Sequence, residues 1–214
     1  MSLTLFNAAA VQDRSEFVSK VYTLLGVSLV FCCAGAYFGL SMPPSLLLPV
    51  VIAEFILMFI CRAVERSFPL NLMLLFAFTT ISGLTLGFLL EIYIAHGMGS
   101  IIPVATASTA AVFGGLSIYV HISKQDFSFL GGFLFMGLIG MLVVGLASMF
   151  FHLPLTGTVF SIFGVLLFSG FILYDTSNLL HRYDDHQYVA ATLGLYLDIV
   201  NLFLFILRLL SNRR

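Results

Sequence analysis

Residues 21–53, VYTLLGVSLVFCCAGAYFGLSMPPSLLLPVVIA, contain no Asp, Glu, Lys or Arg. A helix needs about 20 apolar residues to cross the hydrocarbon layer of a bilayer, so this run is too long for one crossing and is read as two. The turn-formers Gly39-Leu-Ser-Met-Pro-Pro-Ser45 divide it. The same reading extends along the chain. No acidic or basic side chain lies between Arg66 and Glu91, between Glu91 and Lys124, or between Asp126 and Asp175, and the last stretch is again double, broken at His152-Leu-Pro-Leu-Thr-Gly157. Seven segments follow: 18–40, 46–64, 70–92, 101–120, 129–151, 157–180 and 188–210. In lipid the backbone must satisfy its own hydrogen bonds, which leaves helices or a closed barrel, and long runs without alternation exclude the barrel. The expected fold is all-α, a polytopic bundle of seven transmembrane helices over residues 18–214, preceded by a tail, residues 1–17.

Composition agrees. Of 214 residues, 60% are hydrophobic and only 9% charged, with a mean hydropathy of +1.10, whereas a soluble domain carries roughly 25% charged residues. With connections this short, no soluble domain is left over. A net charge of −1 and the lack of a basic run exclude nucleic acid as a partner. Residues 21–38 imitate a signal peptide, with Ala34-Gly35-Ala36 as the small-residue site, but the apolar run is longer than such leaders use, so it is read as a retained first span. Cys32 and Cys33 are adjacent and Cys61 stands alone, which suits structural thiols rather than a metal site or disulfide framework.

Basic residues set the orientation. Arg14 and Lys20 precede the first span, Arg62 and Arg66 follow the second, Lys124 follows the fourth and Arg182 follows the sixth, while the intervening loops carry none. The positive-inside rule then puts the amino terminus and those loops in the cytoplasm. Arg208, Arg213 and Arg214 disagree, since seven crossings place them outside. Either the last segment is re-entrant or the earlier loops override a short basic tail, and seven crossings are the expectation. Glu91 and Arg208 fall near the outer interface, where long side chains snorkel. Gly35-Ala-Tyr-Phe-Gly39 and Gly83-Leu-Thr-Leu-Gly87 each fit the G-x-x-x-G pattern that lets helices approach closely, and Gly131, Gly132, Gly137, Gly140 and Gly145 crowd the fifth span. Packing within the chain is expected over a dimer face, and a monomer over an oligomer.

Two acids inside the apolar runs carry the chemistry. Asp198 sits in LYLDIVNLF (195–203) and Asp175 in ILYDTSN (172–178). A carboxylate at the centre of a membrane helix costs roughly 2.5–3.5 kcal/mol by insertion scales. In an antiparallel hairpin two residues share a depth when the turn falls midway between them. Here that midpoint lies between His186 and Gln187, inside the polar run His181-Arg-Tyr-Asp-Asp-His-Gln187, so the two aspartates can face each other. Each heads the same small motif, Asp175-Thr-Ser-Asn178 and Asp198-Ile-Val-Asn201, and a three-residue step keeps acid and amide on one helix face. Two carboxylates in contact at low dielectric share a proton and titrate as a pair. The pair is thus a proton sensor and gate, because losing the shared proton leaves like charges that repel, admit water or recruit a cation. Calcium takes 6–8 oxygen ligands, of which Asp175, Asp198, Asn178 and Asn201 supply a part, so a permeation site completed by water fits better than a tight buffer site. Glu54, a third buried acid, extends the ion pathway, and Arg62 or Arg66 could seal the cytoplasmic mouth by pairing with Asp175. His181 and His186 flank Asp184 and Asp185 in what reads as a solvated loop. No nucleophile motif, phosphate-cradling loop or H-E-x-x-H helix is present, so an enzyme is not expected.

At LYDT (173–176) and LYLDIVNLFLFILRLL (195–210) the sequence resembles the Bax inhibitor family, the transmembrane Bax-inhibitor-motif proteins. The likeness also covers Phe76-Ala-Phe78 and Ser82-Gly-Leu-Thr85, and in length the chain is similar to compact prokaryotic members. The resemblance implies six helices around a central seventh and a pH-sensitive calcium leak. Its paired aspartates correspond to Asp175 and Asp198, and its second-helix acid to Glu54. It implies a basic latch too: counting forward from Glu54 favours Glu65 or Arg66, and counting back from Phe76 favours Arg62. Some relatives suppress cell death, and some bacterial ones modulate a membrane-bound protease. The primary expectation is therefore a pH-gated calcium leak in the bacterial plasma membrane, with the bilayer, calcium and protons as partners, no tightly bound cofactor, and calcium as permeant ion or transient ligand of Asp175 and Asp198. The alternative is an interaction module that modulates a membrane protease or another membrane partner.

Overall fold

The computed structural model describes residues 2–64, 67–151 and 157–212, with the side chains of all of these except 2–13 and 149. These residues form seven α-helices: α1 (Ser2–Gly39), α2 (Leu47–Ala63), α3 (Leu70–Ala95), α4 (Ile101–Ser123), α5 (Gly131–Phe151), α6 (Thr158–His181) and α7 (Tyr188–Ser211). Each contains a segment long and apolar enough to cross a membrane. Large apolar side chains such as Phe55, Phe59, Phe133, Phe150 and Val159 point outward, as expected where the surrounding medium is itself apolar. The chain is an integral membrane protein built as a seven-helix bundle.

Local chemistry explains the helix ends. Pro43 and Pro44 open the 3₁₀ turn Pro44–Leu46 that follows the end of α1, while Pro49 and Pro103 fall in the first turns of α2 and α4, where a missing N–H costs nothing. The α4 helix stops at Lys124, which turns left-handed at φ 52°, and Gly97, at φ 74°, follows α3. Asp184 and Gln187 exchange side-chain and backbone hydrogen bonds as a capping box just before α7. Six of the helices begin and end within a few residues of the expected segments. The exception is the first, where α1 already begins at Ser2, so the segment read as a tail is helical backbone. The α7 helix is unbroken over 24 residues, which supports a crossing rather than a re-entrant piece. It is also the most buried, with 56% of its apolar window shielded against 33% or less in the others. The break expected at His152–Gly157 lies, from 152 to 156, outside the described residues.

The chain divides into two compact units, Met1–Gly97 with Tyr183–Tyr196, and Met98–Arg182 with Leu197–Arg214. In the first, α1 crosses α3 with both glycine motifs in the contact. A Cβ on Gly35 would strike the Thr80 carbonyl, one on Gly83 the Cys32 carbonyl, one on Gly87 the Ala36 carbonyl, and one on Gly39 the Leu84 carbonyl. The G-x-x-x-G pairs therefore serve packing within the chain. Buried Val21, Leu25, Leu75, Phe78 and Tyr196 belong to this unit, with the Phe78 and Tyr196 rings edge-to-face at 5.9 Å. In the second unit Leu134, Met141 and Leu167 form a core with Phe160, Phe171 and Phe205 packed on it. Gly164 and Gly170 leave room there for the Phe205 ring and the Leu134 side chain.

Candidate functional site

The hairpin forms as its composition requires. The α6 helix ends at His181, the polar run makes the turn, and α7 starts at Tyr188. Asp175 lies in the last two turns of α6, half-buried, and Asp198 lies in the body of α7, where it is 5% exposed. The two carboxyl groups lie close enough to interact with each other. A hydrogen bond between them needs a proton on one of the oxygens, since two ionised carboxylates have acceptors only. Asp198 Oδ2 nevertheless lies buried with no partner among the described residues, and so do Thr176 Oγ1 and Asn178 Oδ1. Asn178, 7% exposed, shares a helix face with Asp175. Buried oxygens left in this state carry a desolvation cost of about 1–3 kcal/mol each, which a proton, a water or a cation would relieve.

Asn201 departs from its expected role. Its amide donates to the Leu197 carbonyl one turn back at 2.7 Å, and the residue lines an apolar cavity of about 320 Å³ with Leu138, Met141, Phe160, Phe168 and Phe205. An asparagine that satisfies its own helix backbone is withdrawn from a shared polar interior. Glu54, half-buried in α2, accepts a hydrogen bond from the Thr85 hydroxyl of α3 at 2.8 Å. Arg62 is exposed at the last turn of α2, and Glu65 and Arg66 lie outside the described residues, as do Arg213 and Arg214. Glu91 is exposed, and the Arg208 guanidinium stands 5.7 Å from the centre of the Phe160 ring. Among the described residues no group of three or more His, Cys, Asp or Glu side chains gathers as a metal cage. His181 instead bonds the Ser177 carbonyl through Nδ1 at 2.9 Å.

Several polar contacts were not anticipated from the sequence. Tyr196, fully buried, lies beside Cys32 and Ser82, and its hydroxyl donates to the Thr79 carbonyl at 3.4 Å. Cys32 and Cys61 are buried and Cys33 is exposed, all as free thiols. At the turn end of α6, Ser177 Oγ accepts the Phe127 N–H at 2.9 Å and donates to the Gln125 carbonyl at 3.4 Å. Arg182 donates to Ser128 Oγ at 2.6 Å and stands 3.8 Å from Asp126. The α4–α5 connection is thereby pinned to the helix that carries Asp175. On the other unit, Arg14 donates to the Tyr183 carbonyl at 2.6 Å and the Lys20 ammonium lies 3.4 Å from the Tyr188 ring centre. Each of these depends on tertiary neighbours that no local pattern announces.

The loop contact has a pH signature. Hydrogen bonds from the Ser128 hydroxyl and backbone N–H hold the Asp126 carboxyl below its usual range, with Arg182 adding to the effect. A depressed folded value means that the contact stabilises above the ordinary carboxylate range and is lost as pH falls through the lower folded value. Ser128→Ala is expected to return the Asp126 titration toward the ordinary range, read by NMR of the side-chain carboxyl across a pH series. An unmoved titration would show that the hydroxyl is not the cause.

The family profile described as "Inhibitor of apoptosis-promoting Bax1" matches residues 14–214. The chain is 37% identical over 220 residues to the "Golgi anti-apoptotic protein" of Vaccinia virus (strain Lister), covering 97% of this chain and 90% of that protein. It is 36% identical to "Bax inhibitor 1" of Schizosaccharomyces pombe, covering 92% and 77%, and 35% identical to "Modulator of FtsH protease YccA" of Escherichia coli (strain K12), covering 93% and 94%. These names describe inhibitors and modulators rather than enzymes. A profile match over nearly the whole chain, together with the seven helices, places this protein in the Bax inhibitor family.

Proposed function

We propose that the protein is a pH-gated cation leak, with calcium as the permeant ion, in which Asp175 and Asp198 are sensor and gate. The supporting observation is the close approach of two carboxyls, one of them almost wholly buried, in the hairpin of α6 and α7. A proton held between them lets the pair exist at tolerable cost in a low dielectric, and its loss leaves like charges in contact. That state favours separation or a cation, so proton concentration sets the gate. The unpartnered oxygens Asp198 Oδ2 and Asn178 Oδ1 are of the hard type that calcium prefers, and two or three of them make a transient site with water completing the shell. Glu54 is assigned to the ion path and Arg62 or Arg66 to the latch. The amino terminus is assigned to the cytoplasm and the membrane to the bacterial plasma membrane. The test is the purified chain in liposomes loaded with a calcium dye, across a pH series. Calcium entry that changes with pH is expected, and absent or pH-independent entry would reject the reading.

A second reading rests on the relative named as a modulator of a membrane protease. In that reading the chain binds such a protease and slows its degradation of membrane substrates. Co-reconstitution with the protease distinguishes the two, because a leak acts on dye-loaded liposomes without the protease, and a modulator changes substrate lifetime at clamped calcium and pH.

A further inference from the structure

A sizeable cavity belongs to α5 and α6, outside the aspartate hairpin's polar contacts. It is a groove of about 740 Å³ whose walls are Met136, Gly137, Gly140, Met141 and Val144 on α5 and Val159, Phe160 and Phe163 on α6. That volume falls in the range of ligand sites, roughly 300–1,000 Å³. Its lining is almost entirely hydrocarbon and aromatic, so water gains nothing by entering. Gly140 borders this open space, since a Cβ there would meet nothing within 4 Å. Both wall helices span the membrane, and the neighbouring residues Phe133 and Val159 are 72% and 82% exposed. The medium at the mouth is therefore lipid.

A charge stands beside this groove. Phe160, one of its wall residues, carries the Arg208 guanidinium 5.7 Å from its ring centre. Arg208 belongs to the last turn of α7, and α6 begins nearby at Thr158, with Asn212 of the α7 end donating to Ser161 Oγ at 3.5 Å. That hydrogen bond puts the close of α7 and the start of α6 at the same end of the unit, where the amino-terminal N–H groups of α6 also favour an anion. A guanidinium matches a phosphate in geometry and charge. An apolar trough ending at a guanidinium has the complementarity of a lipid with an anionic head.

We propose that the α5–α6 groove is a binding site for an anionic phospholipid, with one acyl chain lying against Gly137 and Gly140 and the headgroup phosphate on Arg208. The inference is independent of the leak reading, because it uses neither aspartate. It also gives a reason for an arginine at the end of α7, against the positive-inside pattern: the cation is matched to a bound headgroup.

The experiment is native mass spectrometry of the full chain, delipidated in detergent and then offered phosphatidylglycerol or phosphatidylcholine of identical acyl composition. One phosphatidylglycerol is expected to be retained per chain, at least about tenfold in preference to phosphatidylcholine. Arg208→Gln should erase the headgroup preference while leaving residual acyl binding, and Gly140→Phe, whose Cβ meets nothing within 4 Å and whose ring would occupy the trough, should lower retention of both lipids. Circular dichroism melting of each variant verifies folding, and Gly140→Leu serves should the phenylalanine variant fail to fold. Equal retention of both headgroups by the parent chain, or undiminished retention in folded Gly140 variants, would overturn the proposal. So would a lipid-free dimer that Gly140→Phe dissolves, because the occupant would then be a second copy.

Discussion

Gly83→Leu is expected to prevent α1 and α3 from docking and to leave little folded protein. A single Cβ at this position already invades the Cys32 carbonyl, and atoms of backbone cannot rotate away as a side chain would. Overpacking in a close-packed interior costs typically 1–3 kcal/mol when side chains can adjust, so a rigid backbone clash should reach or exceed about 3 kcal/mol. Against a total stability of about 5–15 kcal/mol that is a large share. Gly83→Ala should show a smaller loss of the same sign. Gly114→Ala in α4 is the contrast, because nothing lies within 4 Å of a Cβ there. Alanine in a helix interior is favoured over glycine by up to about 1 kcal/mol, so this variant should be neutral or slightly more stable. Thermal unfolding in detergent followed by circular dichroism orders the three. Equal melting of Gly83→Ala and Gly114→Ala would show that the α1–α3 crossing is looser than described.

The second large effect concerns the aspartate pair. Asp198→Asn keeps the shape of the side chain and a hydrogen bond to Asp175 but removes the shared proton. On the leak reading, calcium entry in the parent changes by up to about tenfold per pH unit across the transition, one pH unit being worth 1.36 kcal/mol between protonation states. Asp198→Asn should flatten that dependence, and Asp175→Asn should do the same, because each leaves one carboxyl with no second carboxyl to share a proton. The double variant should resemble either single one, since two members of one contact do not add. A pH profile unchanged in both folded single variants would assign the sensing to other groups.

Much of the bundle could be read from charge alone. The charge-free gap between Lys20 and Glu54 proved to contain the break between α1 and α2, that between Asp126 and Asp175 contains α5 and most of α6, and the turn between Asp175 and Asp198 fell where the polar run put it. Counting residues from that turn was enough to bring the two carboxyls together, because helix geometry converts sequence distance directly into depth. Rotation about a helix axis was harder to infer. In a bilayer both the lipid-facing and the buried sides are apolar, so hydropathy does not say which way Asn201 points, and it faces the cavity beside Phe205. Tyr196 is buried among apolar residues, yet its hydroxyl donates to the Thr79 carbonyl of α3. Ser177 looked like an ordinary helical serine and in fact anchors the α4–α5 connection. The early start of α1 was hidden because Asp13, Arg14 and Glu16 interrupt the apolar pattern without interrupting the helix.

The hydrogen bond from Arg14 to the Tyr183 carbonyl joins residues 169 positions apart. A ribosome must therefore deliver nearly the whole polypeptide before the opening helix can meet the carbonyl that receives it, and closing so long a loop is slow compared with forming local helix. During synthesis the first span waits in the bilayer with that guanidinium still hydrated. Docking of the first helix is thus timed by the arrival of the α6–α7 turn, and a chain arrested before residue 183 would leave its amino-terminal helix unclasped.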